Sequence, residues 1–180
     1  MQKLEICERL TTAHQQFTQL VLSLSADEYY ADQEGKKWNA GKQADHLLKS
    51  IRLVLLAFRL PTFALRLFFG VANRQGRSYE ALQEKYLSKL ADGGQASGPF
   101  IPKVQSYERR TEIPEKIIAT IERLNQKVNK KSEAQLDQFI LPHPLLGKIT
   151  LREMLFFTIF HALHHYQSIQ QNIQGTSKSR

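Results

Sequence analysis

Apolar side chains recur at intervals of three and four at Leu4, Cys7, Leu10, Phe17, Leu20, Val21 and Leu24. This is the period of a helix with one buried face, with a single gap at Ala13 and His14. Residues 25–37 are polar, with Gly35 near their end, and read as a connection containing one short turn. Asn39 stands just before the next periodic segment, where its side chain can accept from the first free N–H groups. A second helix is therefore predicted from Asn39 to about Arg59, ended by Pro61. The third opens at Thr111-Glu-Ile-Pro114, with proline near the first turn where its missing N–H costs nothing. Its apolar stripe is Ile117, Ile118, Ile121, Leu124 and Val128. The last begins at Thr150-Leu-Arg-Glu153, a capping box, and is predicted to run to about Ile173.

The remaining segments are less regular. Residues 61–110 hold a short apolar piece at 63–69, two glycines (Gly70 and Gly76), a helix over 78–90, and the strongest loop of the chain, DGGQASGP at 92–99. A Lys-rich polar connection leads to Leu136, and LPHPLLGK at 141–148 forms a turn; neither an internal repeat nor a strand-period region stands out. The expected fold is all-α: a four-helix bundle with a helical insertion, residues 61–110, between the second and third long helices. At roughly 100–200 residues per domain, the 180 residues make one domain over 1–180. A chain of this length buries about two-thirds of its unfolded surface and needs no covalent staple.

Composition removes several classes of function. A single cysteine, Cys7, excludes a disulfide scaffold and a cysteine-rich zinc finger, so any metal site must be built from His, Asp and Glu. Residues 1–9 lack an uninterrupted apolar run and carry Glu5 and Glu8, against a signal or transit peptide; the expected address is the cytoplasm. The most apolar window, residues 51–71, contains Arg52, Arg59, Arg66 and Pro61 and is no transmembrane helix. The net charge of +8 raises nucleic-acid or anionic-membrane binding. The charge is scattered, however, with short runs at Lys36-Lys37, Arg109-Arg110 and Lys130-Lys131 and a thin SKSR tail, so no nucleic acid is expected as a partner. Sevenfold spacing aligns Arg52, Arg59 and Arg66 if the helix is continuous. Three readings of this region stay open: a core helix with outward arginines, a membrane-surface helix, or a homodimer interface over 63–69. A positive pocket would suit an anionic substrate such as a carboxylated thiol.

The clearest chemistry lies in the last helix, FHALHHYQSI at 160–169. His161 and His165 are four apart and share a face, a spacing that lets two imidazoles hold one divalent ion. Two ligands are too few, but a bundle can supply a third from a facing helix, and the second helix contains His46 in WNAGKQADHLL. Three neutral imidazoles suit Zn, Ni, Fe or Cu far better than Mg or Ca, and positions left open would hold water or substrate. His164, about 60° from His161, competes for the pair or flanks the site. His14 is read as structural and His143, between two prolines, as a turn residue.

Trp38 eight residues before a helical His, the loop HPLLG at 143–147 and FHALHHYQSI together resemble the DinB/YfiT-like superfamily, four-helix bundles of about this size. The resemblance covers both ends of the chain; residues 61–110 have no counterpart in it. It implies metal ligands at His46, His161 and His165, one from the second helix and two from the His-x-x-x-His of the last. It also implies a metal-dependent activity: relatives include transferases and isomerases that use low-molecular-weight thiols such as bacillithiol or mycothiol, and others have no known reaction. The substrate would be a small molecule, and the chemistry thiol S-transfer or hydrolysis at Zn, Ni or Fe.

Around the histidines, Gln43 shares the face of His46 and is the better pocket candidate, whereas Asp45 points about 100° away. Asn39 is read as a cap, Glu153 as the capping partner of Thr150, and Phe157, Thr158 and Tyr166 as near enough to shape a cavity. Cys7 is a poor nucleophile candidate, and no protein general base can be named. Two alternatives of other classes remain: a non-catalytic stress or interaction protein with the same fold, and a peripheral membrane or nucleic-acid binder acting through its arginines.

Overall fold

In a computed structural model, which describes residues 1–33, 35 and 37–178, four long helices form the frame: α1 (Lys3–Ser23), α3 (Ala40–Arg59), α6 (Glu112–Asn129) and α8 (Leu151–Lys178). Shorter helices α2 (Ala26–Tyr30), α4 (Thr62–Phe68), α5 (Tyr79–Ala91) and α7 (Glu133–Gln138) lie between them. Lys36 of the Lys36-Lys37 run, and Ser179 and Arg180 of the SKSR tail, fall outside the described residues. α1 and α3 each pack against both α6 and α8, giving the expected bundle of four. Ile6, Leu10 and Phe17 of α1 are fully buried against Leu47 and Ile51 of α3, Ile117, Ile121 and Leu124 of α6, and Leu155 of α8. Each such side chain contributes about 1.5–3 kcal/mol by leaving water.

The helix starts follow the chemistry read from the sequence. Asn39 accepts from the Lys42 N–H. Thr150 and Glu153 exchange hydrogen bonds, the Thr150 N–H to Glu153 Oε2 at 2.7 Å and the Glu153 N–H to Thr150 Oγ1 at 3.1 Å. Glu153 does more than cap. Its buried carboxylate also accepts from both terminal nitrogens of Arg74, each at 2.9 Å, and from the Arg77 backbone N–H at 3.0 Å and Nη1 at 3.1 Å. This ties the start of α8 to the chain between α4 and α5.

Three expectations need correction. The turn-forming 141–148 stretch is a β-hairpin, β1 (Ile140–His143) paired antiparallel with β2 (Gly147–Thr150), Leu141 opposite Ile149. Strands of four residues are too short for a period of two to show in sequence. The polar connection to Leu136 contains α7, capped by a Ser132–Gln135 box and anchored by fully buried Leu136. α8 continues past Ile173 to Lys178, and near that end Asn172 Nδ2 donates to the carbonyls of Ala31 and Trp38.

On α3, Ile51, Val54, Leu55 and Phe58 face the core while Arg52 and Arg59 face water, so the core-helix reading of this segment holds. Pro61 then starts α4, where Ala64 and Leu65 are buried and Phe63, Leu67 and Phe68 lie 73, 75 and 69% exposed. No helix among the described residues is long and apolar enough to cross a membrane. α5 packs on α8, and the loop carrying the 3₁₀ turn Gly98–Phe100 packs on α3, so residues between α3 and α6 cover one side of the α3–α8 pair.

Candidate metal centre

α3 and α8 run antiparallel where they meet, which brings His46 against His161 and His165. The Nε2 atom of His161 lies 3.1 Å from Nε2 of His46 and 3.0 Å from Nε2 of His165. All three residues are buried, and one nitrogen from each falls within 4.8 Å of the others. The four-residue spacing on α8 and the α3–α8 crossing together build this cluster; no loop residue contributes a ring.

The other side of each ring fixes its proton. His46 Nδ1 is 2.6 Å from the Phe100 carbonyl, which can only accept, so the proton sits on Nδ1 and Nε2 carries a lone pair. His165 Nδ1 is 2.8 Å from Gln43 Oε1. Gln43 Nε2 donates to the Trp38 carbonyl at 2.7 Å, which sets the amide so that Oε1 faces the imidazole and accepts. Two lone pairs therefore converge on His161 Nε2, which offers at most one proton between them. At least one buried acceptor is left without a donor, a cost of about 1–3 kcal/mol.

Burial lowers the pKa of all three rings; for His161 the adjacent His165 and His46 push it further down, and for His46 the Phe100 carbonyl partly opposes the fall. Neutral imidazoles with inward lone pairs fit a transition ion. Such an ion, at about 2.0–2.1 Å from each nitrogen, tolerates neighbouring ligand nitrogens roughly 3.0–3.4 Å apart. The Gln43 and Phe100 contacts are the kind of outer partner that orients a ligating histidine.

Gln43 thus occupies the pocket position expected of it. Asp45, as its helical angle required, faces elsewhere: it accepts from the Lys103 N–H at 2.7 Å, Gln105 Nε2 at 3.3 Å and Lys49 Nζ at 2.7 Å. By pinning residues 103–105 it holds the preceding turn where the Phe100 carbonyl meets His46. Sequence reasoning missed Phe100, because a backbone acceptor in a loop leaves no trace in residue type.

His164 is not in the cluster. Its ring packs 6.2 Å from Tyr86 and 5.5 Å from His165, and it lines the cavity beside the site. His143 has the expected turn role, Nδ1 accepting from the N–H groups of Leu145 and Leu146, and also lines that cavity, where burial lowers its pKa to about 4. His14 is buried in α1, its Nδ1–H donating to the Leu10 carbonyl at 2.7 Å. Cys7 is buried and its thiol pKa is raised by that burial, against a nucleophilic role.

A cavity of about 690 Å³ opens from the histidines between α3, α5, α8 and the hairpin. Phe157 and Thr158 line it as expected, with the Phe157 ring stacked 4.8 Å from His161. Tyr166 does not; its hydroxyl accepts from Gln170. Among the described residues, the only Asp, Glu, Lys or Arg in the lining is exposed Lys37. The surplus of positive charge therefore lies mainly outside this lining.

The comparison with known proteins agrees with this geometry. No curated protein matches the chain. The family model described as the DinB superfamily matches residues 9–169, a span that contains α3, the first two-thirds of α8 and all three clustered histidines. The chain belongs to the DinB superfamily.

Proposed function

We propose that this protein is a metal-dependent enzyme in which Nε2 atoms of His46, His161 and His165 hold one divalent ion, Zn, Ni or Fe. The observation that carries the reading is the convergence of three neutral, buried imidazoles, two of them with the opposite nitrogen tied to a carbonyl oxygen. Bound there, such an ion would supply Lewis acidity and lower the pKa of a coordinated thiol or water. The reaction is accordingly thiol S-transfer, with a low-molecular-weight thiol, or hydrolysis of a small molecule seated in the adjoining cavity.

The chain's own groups have definite parts. Gln43 and the Phe100 carbonyl hold two of the imidazoles in one tautomer and orientation. Trp38, 5.1 Å from the His46 ring, and Phe157 stacked on His161 wall the nitrogen cluster on either side and hold those two rings in place. Residues 61–110 are an insertion within one domain that covers the cavity through α5 and the 98–100 turn. A reducing cytoplasm is the compartment this chemistry fits.

The test is metal content by mass spectrometry on untagged protein, wild type beside His46→Ala and His161→Ala. About one equivalent of zinc, nickel or iron in the wild type, lost in both variants, supports the site. Chelator-sensitive turnover of an electrophile with a thiol would then support the enzyme. A wild type that stays empty after incubation with those metals at neutral pH overturns the site, and a loaded protein without turnover in thiol-transfer and hydrolase screens makes it a binding protein.

A further inference from the structure

The cavity beside the histidines is long and graded in polarity. Along α3 its wall runs from Gln43 to Leu60, and along α8 from Met154 to Ser168. At 1.5 Å per residue these are roughly 25 and 21 Å. Because the helices are antiparallel, one end joins Lys37, Trp38, Gln43, His164 and Ser168 around the nitrogen cluster. The far end joins Val54, Ala57, Leu60, Phe69, Leu141 and Met154, with no charged side chain among them. A charged group placed there would lose its hydration without a partner. The far half also has a way in: Leu53 and Leu56 belong to the lining and are 39 and 56% exposed.

We infer that the substrate is an elongated amphiphile, with a small polar head at the histidines and an unbranched, uncharged alkyl or acyl chain lying along α3 toward Leu60 and Phe69. The head placement rests on the metal-enzyme reading; recognition of the chain does not, since the far walls, from Val54 to Leu60 with Phe69, Leu141 and Met154, are apolar. A cavity of about 690 Å³ is in the range of specific small-molecule sites. Its length along the helices exceeds what a single ring would fill.

The probe is a series of primary n-alkanols from butanol to decanol, titrated calorimetrically into the full chain both metal-free and zinc-loaded. Affinity is expected to rise about three- to fourfold per added methylene in both forms. Ala57→Phe, which fills the far end, and Leu60→Gln, which makes it polar, should flatten that rise for the longer alcohols, with folding checked by circular dichroism. His161→Leu should leave the rise intact. A wild type with no chain-length dependence overturns the inference, and so does a rise that survives unchanged in folded Ala57→Phe and Leu60→Gln protein. If the rise is present but no metal binds, the metal-enzyme reading fails and the apolar-chain site stands. If metal binds without the rise, the reverse holds.

Discussion

Two buried polar sites on α8, eight residues apart, are built on opposite principles. At Glu153 a carboxylate with 1% of its side chain exposed is saturated: two backbone N–H groups and two guanidinium groups surround it. Burial pushes its pKa up, but Arg74 and the N–H groups of Thr150 and Arg77 outweigh this and hold it below the usual carboxylate range. At His161 the neighbours are two more imidazoles, each presenting a lone pair where a donor would be needed. The first arrangement completes itself and fastens α8 to the segment before α5. The second is incomplete within the protein, and its inward lone pairs fit a cation. A saturated charged node is a structural feature; an unsaturated neutral one is a candidate ligand set.

The largest expected effect tests the first half of that contrast. Glu153→Leu orphans two N–H groups and leaves two arginines without a counter-ion. Removing one partner of a buried pair costs about 3–5 kcal/mol, and because Arg74 and Arg77 keep about a third of their side-chain exposure the lower end applies, about 3 kcal/mol. Urea unfolding of metal-free protein measures it. In the same assay His161→Leu, of similar volume, takes away at most the one proton that the His46 and His165 lone pairs share, so it should cost less, about 1 kcal/mol. Equal costs for the two substitutions would break the contrast.

His14 sharpens it, because it is a buried imidazole with no cluster. Its Nε2 has no hydrogen-bond partner, and burial, only partly opposed by the Leu10 carbonyl, lowers its pKa to about 4 from an ordinary 6.5. The unfolded chain therefore takes up a proton below 6.5 that the folded chain refuses until about 4. The folded state loses stability as pH falls through that window, by about 3 kcal/mol at its lower end. His14→Leu should remove that share, so the difference in stability between variant and wild type should shift in the variant's favour as the pH is lowered from 7 to 4.5. A difference independent of pH would contradict the assignment.

The smallest effect concerns the orientation of the ligand set. Gln43→Leu deletes the acceptor for His165 Nδ1–H while leaving all three Nε2 donors present. Outer partners of this kind are worth about 10–100-fold in metal affinity. Competition with a chromophoric chelator should show a loss in that range. An unchanged affinity would mean that the amide fills space and does not orient the ring.

Much of this was readable from residue spacing. The periods at Leu4 to Leu24 and Ile117 to Val128, the caps at Asn39 and Thr150, and the pair His161 and His165 on one helical face are all local, because an α-helix repeats every 3.6 residues whatever surrounds it. The hairpin at 140–150 was not, since its register is fixed by Leu141 meeting Ile149 across the ladder. Nor was the second role of Glu153, whose arginines lie 79 and 76 residues earlier.

Residue order alone set the four long helices, the caps that open α3 and α8, the candidate donor atoms and the absence of a cysteine-based site. Tertiary structure alone decided that His46 meets the α8 pair, that His164 stays outside it, that the Phe100 carbonyl and Gln43 turn two lone pairs inward, and that the cavity beside them is apolar despite a net charge of +8. The reason is range. Helical periodicity is carried by neighbours within one or two turns, whereas contacts between residues 54 to 122 positions apart exist only once burial of the core has set α3 against α8 and drawn the 98–105 loop over them.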